Sequence, residues 1–307
     1  MTLPELLKIR TPSPLHQIEI APHKEVWCKR DDLLHPIISG NKWRKLRPIL
    51  EQARTSQVKH IASFGGAYSN HLHALGFCCK TMNIPFTAVI RAHPNSPLTP
   101  MLIDLKAWGA SLAFVSRVEY QQRHDISYQA HLKTSQKIDL LIPEGGSDAR
   151  SLEGVADIID EVCAEQTQPF DLIVLPVASG GTMAGLIKCI AERGLPSKVL
   201  GIAVLKGEGY LEGILDDLLA PHKKQTALDY TNWSIAHDAD FHGGGYAKMT
   251  MAHKEFKEQF LHEHGFDLDC IYNTKSFFAL RQLMIKNKLS EFPRILILHT
   301  GGLQGDR

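Results

Sequence analysis

Short apolar runs alternate along the chain with longer stretches in which apolar residues recur every three or four positions. The runs rich in β-branched residues predict strands at 59–64, 86–91, 139–143, 171–177, 198–204 and 294–299. The longer stretches predict helices at 70–81, 99–109, 121–135, 150–166, 181–193, 248–264 and 274–287. Strands that are apolar throughout and alternate with helices favour parallel sheets buried on both faces. The pattern therefore predicts an α/β fold with mostly parallel sheets covered by helices.

Clusters of glycine and small polar residues interrupt this pattern at 39–41, 64–70, 143–148, 178–182, 241–246 and 299–302. Four of the six directly follow a predicted strand. Because ligands of α/β folds bind beyond the carboxyl ends of the strands, these clusters are candidate ligand loops.

The composition is that of an ordinary globular protein, with 44% hydrophobic and 22% charged residues among 307. The net charge is +1 without basic or acidic runs, so we expect no nucleic-acid partner. Six scattered cysteines without a CxxC pair argue against disulfides or a metal site, and we interpret them as reduced, mostly buried thiols. No signal-peptide pattern or membrane-length apolar stretch occurs, so we expect a cytoplasmic protein without a membrane partner.

The segment ASGGTMAGL at 178–186 follows one predicted strand and precedes a predicted helix. Glycines allow backbone N–H groups to approach an anion, Ser179 and Thr182 add hydroxyl donors, and the helix directs its positive end to the same place. The spacing is neither that of a Walker loop nor that of a dinucleotide fingerprint. It indicates a site for a small phosphate ester, although the same glycines could form an ordinary turn.

The segment SGNKWRKLRP places Lys42 in the first turn of a helix that Asn41 could cap. The positive potential there would lower the pKa of the lysine and favour its neutral, nucleophilic form, although most lysines are simply solvated. Pro48 should kink or split this helix. In the next glycine cluster, Ser69 is expected to cap a helix that begins near Asn70.

Together, and in this order, these segments resemble the fold-type II pyridoxal-phosphate (PLP) enzymes of the 1-aminocyclopropane-1-carboxylate (ACC) deaminase and D-cysteine desulfhydrase family. The resemblance is carried by residues 11–18, 29–46, 63–76, 142–155, 176–186, 241–249, 270–280 and 297–302. It implies a tryptophan synthase β-like fold with PLP between two α/β domains, a small domain at 46–149 and a large one formed by 1–45 and 150–307. It also implies a homodimer and a small amino-acid substrate.

The resemblance assigns cofactor roles to several residues. Lys42 would attach covalently to PLP through its amine, and Asn70 would hydrogen-bond its 3′ oxygen. Its phosphate would be held by Ser179, Gly180, Gly181 and Thr182, and no metal is implied.

The substrate would lie near Ser69 and between Tyr246 and Tyr272. Tyr272 could transfer a proton if the charge of the cofactor lowers its pKa, although tyrosines at such positions also serve as packing groups. Since PLP is an electron sink, the remaining task of the protein is to orient the substrate and tune the ring nitrogen of the cofactor.

Three positions distinguish the two activities of this family. Members that are ACC deaminases typically carry Gln, Glu and a non-hydroxyl residue where this chain has His71, Asn273 and Thr300. Thr300 would give the ring nitrogen a hydrogen bond without charge, which suffices for β-elimination but suits ring opening less well. The residues therefore favour D-cysteine desulfhydrase, with ACC deaminase as the alternative, while Ser39 and Pro48 depart from the family pattern.

Other readings are less well supported by the sequence. Racemase or dehydratase chemistry on serine-like substrates is a more distant option within the same enzyme class. A non-catalytic PLP-binding protein would need Lys42 and the phosphate loop but neither Ser69 nor Tyr272. An NAD-binding protein would need a glycine fingerprint that this chain lacks.

Overall fold

The computed structural model describes residues 1–21 and 24–307. Its strands in these ranges are β1 (Leu15–Ile18), β2 (Glu25–Lys29), β3 (Ile61–Gly66), β4 (Phe86–Arg91), β5 (Ser111–Val115), β6 (Leu140–Ile142), β7 (Leu172–Val177), β8 (Lys198–Ala203), β9 (Trp233–Ala236) and β10 (Arg294–Leu298). Its α-helices are α1 (Leu3–Leu7), α2 (Asn41–Thr55), α3 (Asn70–Met82), α4 (Pro100–Ala107), α5 (Arg117–Gln121), α6 (Ile126–Ser135), α7 (Ala149–Glu165), α8 (Gly181–Arg193), α9 (Tyr210–Gln225), α10 (Ala239–His242), α11 (Met251–His264) and α12 (Asn273–Ile285).

The strands form two sheets, one in the order β1-β2-β10-β7-β8-β9 and the other in the order β5-β4-β3-β6. Every pairing is parallel except that of β1 with β2. The predicted α/β fold with mostly parallel sheets is thus confirmed. The four-stranded sheet falls within the predicted small domain at 46–149 and the six-stranded sheet falls outside it, while the domain boundaries themselves remain a prediction.

All six predicted strands are present, and four further strands were missed. Three of these, β1, β5 and β9, are edge strands, and the fourth edge strand, β6, was among those predicted. An edge strand has fewer neighbours to pack against, so its sequence need not be continuously apolar. The strand β1, for example, buries only its two end residues. The helices α1, α9 and α10 were also missed.

The helix α2 corrects two expectations. Gly40, with φ 66°, occupies the N-cap position, so Asn41 is the first helical residue and its side chain is free for other contacts. Pro48 does not split the helix, which continues to Thr55. A Cβ on Gly154 of α7 would lie 2.0 Å from the carbonyl oxygen of Arg44, so α7 packs closely against the carbonyl that Pro48 leaves without its usual donor.

Other helix expectations have mixed outcomes. Ser69 caps α3 as predicted, since its Oγ accepts the N–H of Leu72 at 3.2 Å. The single helix predicted at 121–135 is instead divided into α5, a 3₁₀ turn and α6. The division occurs because the carboxylate of Asp125 accepts the N–H of Tyr128 at 2.8 Å and thereby starts a new helix.

Each sheet has an apolar core on both faces. One side of the large sheet packs against α7, α8 and α9, and its other side packs against α11 and α12. The six cysteines are free thiols, four of them buried. No helix in the described ranges has the length and apolar character needed to cross a membrane.

Candidate active site

Loops from both sheets meet at the carboxyl ends of the parallel strands. The side chain of Asn41 donates from Nδ2 to the Oγ1 of Thr182 at 2.9 Å, which joins the start of α2 to the start of α8. A Cβ on Gly40 would lie 1.8 Å from the carbonyl oxygen of Thr300, so only glycine fits between α2 and the loop after β10. Gln304 hydrogen-bonds Asn70, which links this region to the small sheet. The glycine clusters of the sequence therefore converge as expected.

Lys42 lies at the centre of this convergence. Its Nζ donates to the Oδ1 of Asn41 at 2.7 Å. Burial lowers the pKa of Lys42 to about 8, with the carboxylate of Asp269 acting weakly in the opposite direction. The sequence predicted a lowered pKa for Lys42, which agrees with this direction. The prediction attributed the lowering to the helix terminus, whereas its main cause in the structure is burial. The neutral fraction at pH 7 is therefore a minority, but it is far larger than that of an ordinary lysine, and the neutral amine is the nucleophile.

The loop between β7 and α8 forms a tight cradle. Gly180 occupies the N-cap position of α8 with φ 70°, and Gly181 is the first helical residue. A Cβ on Gly181 would lie 2.5 Å from the Oγ of Ser147, so a side chain there would fill the space beside this hydroxyl. The hydroxyl of Ser147 donates to that of Ser179 at 3.0 Å. Backbone N–H groups and three hydroxyls, including that of Thr182, are thus gathered at one helix start.

Lys45 is a site residue that the sequence analysis missed. It is fully buried, and its Nζ donates to the Oγ of Ser147 at 3.1 Å and that of Ser179 at 3.5 Å. It forms no ion pair within residues 1–21 and 24–307, and burial followed by the charge of Lys42 lowers its pKa well below the ordinary value. The three-residue spacing from Lys42 on a helix could have indicated it. A buried cation beside hydroxyls and helix N–H groups fits an anionic ligand.

The two predicted tyrosines are in contact. The hydroxyls of Tyr246 and Tyr272 lie 2.8 Å apart, and their rings meet edge to face. Burial raises the pKa of Tyr272 well above its ordinary value and raises that of Tyr246 as well. The surrounding protein therefore keeps both hydroxyls protonated. The proton-transfer role expected of Tyr272 required a lowered pKa, and the protein's own groups raise it instead.

Thr300 is held by Asn273 and not by a carboxylate. The Oδ1 of Asn273 accepts the backbone N–H of Thr300 at 2.9 Å and its hydroxyl at 3.2 Å. The Nδ2 of Asn273 donates to Asp269 and to the carbonyl of Gly301, both at 2.6 Å. Both oxygens of Asp269 are occupied by N–H donors, including those of the backbone of Ile271 and Tyr272. No pattern in the sequence indicated that Asp269 would lie here.

The start of α3 presents the remaining predicted residues. Ser69 uses its oxygen to cap the helix, which leaves its hydroxyl proton available. His71 is buried, and its Nε2 lies 2.8 Å from the hydroxyl of Ser63. Burial, and next the charges of Lys45 and Lys42, lower the pKa of His71 well below its ordinary value. His71 is therefore neutral at pH 7 and adds no charge to the site.

A lysine of lowered pKa beside a cradle of glycines and hydroxyls, with a second buried lysine on that cradle, is the set of groups that PLP enzymes need. The comparisons with known proteins agree. Residues 6–301 match the family described as pyridoxal-phosphate dependent enzymes, and the chain belongs to this family. The protein is thus an enzyme whose cofactor is PLP, and the resemblance found in the sequence is confirmed.

Individual relatives give the same assignment. The chain is 29% identical to the mitochondrial bifunctional D-cysteine desulfhydrase/ACC deaminase of Arabidopsis thaliana, over 96% of this chain and 77% of that protein. It is 27% identical to a putative ACC deaminase of Pyrococcus horikoshii, over 92% of this chain and 85% of that one. The fold matches the crystal structure of an ACC deaminase homologue with a TM-score of 0.83 and 24% identity, covering 99% and 95% of the two chains.

Proposed function

We propose that this PLP-dependent enzyme is a lyase that converts D-cysteine and water to pyruvate, hydrogen sulfide and ammonia. The alternative is an ACC deaminase that forms 2-oxobutanoate and ammonia. Both activities occur in the name of the Arabidopsis relative, so that likeness does not choose between them.

The observation that carries the choice is the pairing of Thr300 with Asn273. If Thr300 is the partner of the ring nitrogen, the group behind it is an uncharged amide. The carboxylate of Asp269 lies on the far side of this amide and is occupied by N–H donors. The Thr300 hydroxyl donates its proton to Asn273, so its oxygen would offer the ring nitrogen a lone pair without a charge. Such a partner stabilises a protonated ring less than a carboxylate would, and β-elimination depends less on that protonation because the departing thiolate takes the electron pair.

The other residues have complementary tasks in this proposal. When bound, PLP supplies an electron sink for the bonds at the substrate Cα. Lys42 provides the amine that holds the cofactor, and Lys45 with the cradle at Ser179–Thr182 holds its phosphate. Ser69 keeps a free hydroxyl proton with which to orient the substrate carboxylate. The Tyr246 and Tyr272 hydroxyls, which stay protonated at neutral pH, can donate a hydrogen bond to the departing group.

The test is 2-oxo acid release by the purified, PLP-loaded protein, with D-cysteine, L-cysteine and ACC assayed in parallel. We expect pyruvate from D-cysteine and little product from the other two. Lys42→Ala should abolish both turnover and the visible absorbance of lysine-bound PLP. Formation of 2-oxobutanoate from ACC instead would overturn the argument from Thr300 and Asn273. Visible PLP absorbance without turnover of any substrate would favour the non-catalytic PLP-binding alternative.

We extend the proposal to a homodimer in the cytoplasm. The dimer is what the family resemblance implies, and the free thiols, four of them buried, suit a reducing compartment. Sedimentation of the holoenzyme tests the dimer, and a monomer at micromolar concentration would contradict it.

A further inference from the structure

Lys275 is a fully buried lysine that the proposed mechanism does not use. It lies in the first turn of α12, three residues after Tyr272, and none of its side-chain surface is exposed. Its Nζ donates to two backbone carbonyls, that of Val204 at 3.0 Å and that of Gly245 at 2.9 Å. A buried ammonium is costly unless the structure uses it, and here it is satisfied by carbonyl oxygens without an ion pair in the described ranges.

The carbonyl of Gly245 belongs to a segment with little intrinsic order. Gly243, Gly244 and Gly245 have φ values of 61°, 95° and 134°, conformations that glycine adopts freely in the unfolded chain as well. Tyr246 follows directly, is 46% exposed, and meets Tyr272 through its hydroxyl. The segment is thus joined to α12 at two points, by Lys275 at its backbone and by Tyr272 at its tip.

The opposing carbonyl belongs to a rigid part of the fold. Val204 follows β8, is fully buried, and donates its own N–H to the carbonyl of Val177. One ammonium therefore connects the interior of the large sheet to the glycine segment. Although burial lowers the pKa of Lys275 to about 8, most of it is protonated at pH 7, and the charge strengthens both hydrogen bonds.

We propose that Lys275 is a positioning residue that fixes the segment 243–246, so that the Tyr246 hydroxyl stays beside that of Tyr272 at the substrate. The catalytic consequence rests on the proposed function, whereas the fixing of the segment does not. In the absence of the ammonium, the carbonyl of Gly245 loses its charged donor and keeps only the N–H of Lys248. The backbone of the segment is then held only by hydrogen bonds to its own chain neighbours, between 239 and 248, and no longer by α12. Tyr246 would then leave Tyr272 for part of the time.

The test compares Lys275→Met with Lys188→Met in the PLP-loaded protein. Lys188 is also a buried lysine, but its ammonium pairs with Glu153 and Glu192 on the surface of α7 and α8. Chymotrypsin cleavage between Tyr246 and Ala247, followed by fragment mass, reports the order of the segment without any substrate. We expect about tenfold faster cleavage in Lys275→Met, because local opening governs proteolysis, and an unchanged rate in Lys188→Met.

Kinetics give the second readout. Lys275→Met should keep the visible absorbance of bound PLP and lower kcat by about tenfold with a smaller change in KM, the pattern of a lost transition-state contact.

Chemical rescue gives a third readout. Lys275→Ala should recover protection from chymotrypsin with n-propylammonium, which replaces the deleted atoms, but not with n-propanol or sodium chloride. Wild-type protein treated in parallel corrects for reaction of the amine with PLP.

Unchanged cleavage after Tyr246 in a folded Lys275→Met protein would overturn the proposal, whatever its activity. Failure of both Lys275 variants to fold would also overturn it, because Lys275 would then support the whole core and not one segment. If no substrate is turned over even by the wild type, the proposed function fails, while the cleavage result still decides the role of Lys275.

Discussion

At the scale of single residues, Lys45 shows how a binding site can conflict with stability. Its buried amine has hydroxyl partners and no ion pair in the described ranges, and its pKa is lowered well below the ordinary value, so the protein without its cofactor bears the cost either of an uncompensated charge or of a deprotonated lysine. A bound phosphate would compensate that charge. The residue is therefore expected to favour the loaded form and to disfavour the empty one.

We predict that Lys45→Met weakens PLP binding by about ten- to a hundredfold, the worth of one hydrogen bond to a charged group. Affinity for pyridoxal, which lacks the phosphate, should change little. The PLP-free variant should unfold at the same temperature as the wild type or higher, because a buried amine that lacks an ion pair, and is costly either charged or deprotonated, has been removed. Equal losses of affinity for PLP and pyridoxal in a titration would contradict a phosphate role for Lys45.

At the scale of elements, the start of α8 is shaped by its first glycine. A Cβ on Gly181 would approach the Oγ of Ser147 to 2.5 Å and the Cδ of Lys45 to 3.2 Å, so the methyl group of alanine would occupy the cradle. Gly194 ends the same helix with φ 60°, and a Cβ there would meet nothing within 4 Å. Alanine at Gly181 would therefore fill the site, whereas alanine at Gly194 would only strain the backbone.

We predict that Gly181→Ala lowers the affinity for PLP by about tenfold or more, because the phosphate loses space beside the helix N–H groups. Gly194→Ala should lower the free energy of unfolding by about 1 kcal/mol through its left-handed φ and leave PLP affinity intact. Fluorescence titration with PLP and urea unfolding measure the two effects. A Gly181→Ala protein that binds PLP normally would mean that the cradle is not the phosphate site.

The elements also show what a sequence can and cannot predict. Interior strands such as β7 are apolar throughout and were placed correctly, because burial on both faces leaves a local pattern. The candidate ligand loops were predicted for the same reason, since glycines after such strands are visible in the sequence. Asp269 and Lys275 were missed because their significance lies in long-range contacts, with the 301–302 turn and with Val204. The expectation that Pro48 could split α2 was wrong, and the local sequence does not reveal that Gly154 of α7 packs against the carbonyl that Pro48 leaves without its usual donor.

At the scale of the whole molecule, a buried ion cluster holds α2 in place. Arg44 is fully buried and forms ion pairs with Asp31 at 2.8 Å and with Glu161 of α7 at 2.6 Å. Glu161 also pairs with Lys29 of β2 at 2.7 Å and accepts the backbone N–H of Ser13. The helix that carries Lys42 is thereby fixed to the large sheet and to α7, so the position of Lys42 depends on residues far from it in the sequence.

The cluster gives a prediction about stability and pH. Burial alone would raise the pKa of Glu161, but hydrogen bonds and charges from Arg44 and Lys29 hold it below the ordinary value of 4.5. Because the folded pKa is depressed, this carboxylate stabilises the protein at pH values above about 4.5, and the contribution is lost as the pH falls through the folded value.

Glu161→Gln should therefore cost about 3 kcal/mol of unfolding free energy at pH 7, since it leaves two buried cations short of a partner. Glu153→Gln, on the same helix but 60% exposed at its side chain, should cost about 0.5 kcal/mol or less. Urea unfolding at pH 7 and at pH 4 checks both values, and a difference between Glu161→Gln and wild type that fails to shrink at the lower pH would show that the loss comes from packing and not from the charge of Glu161.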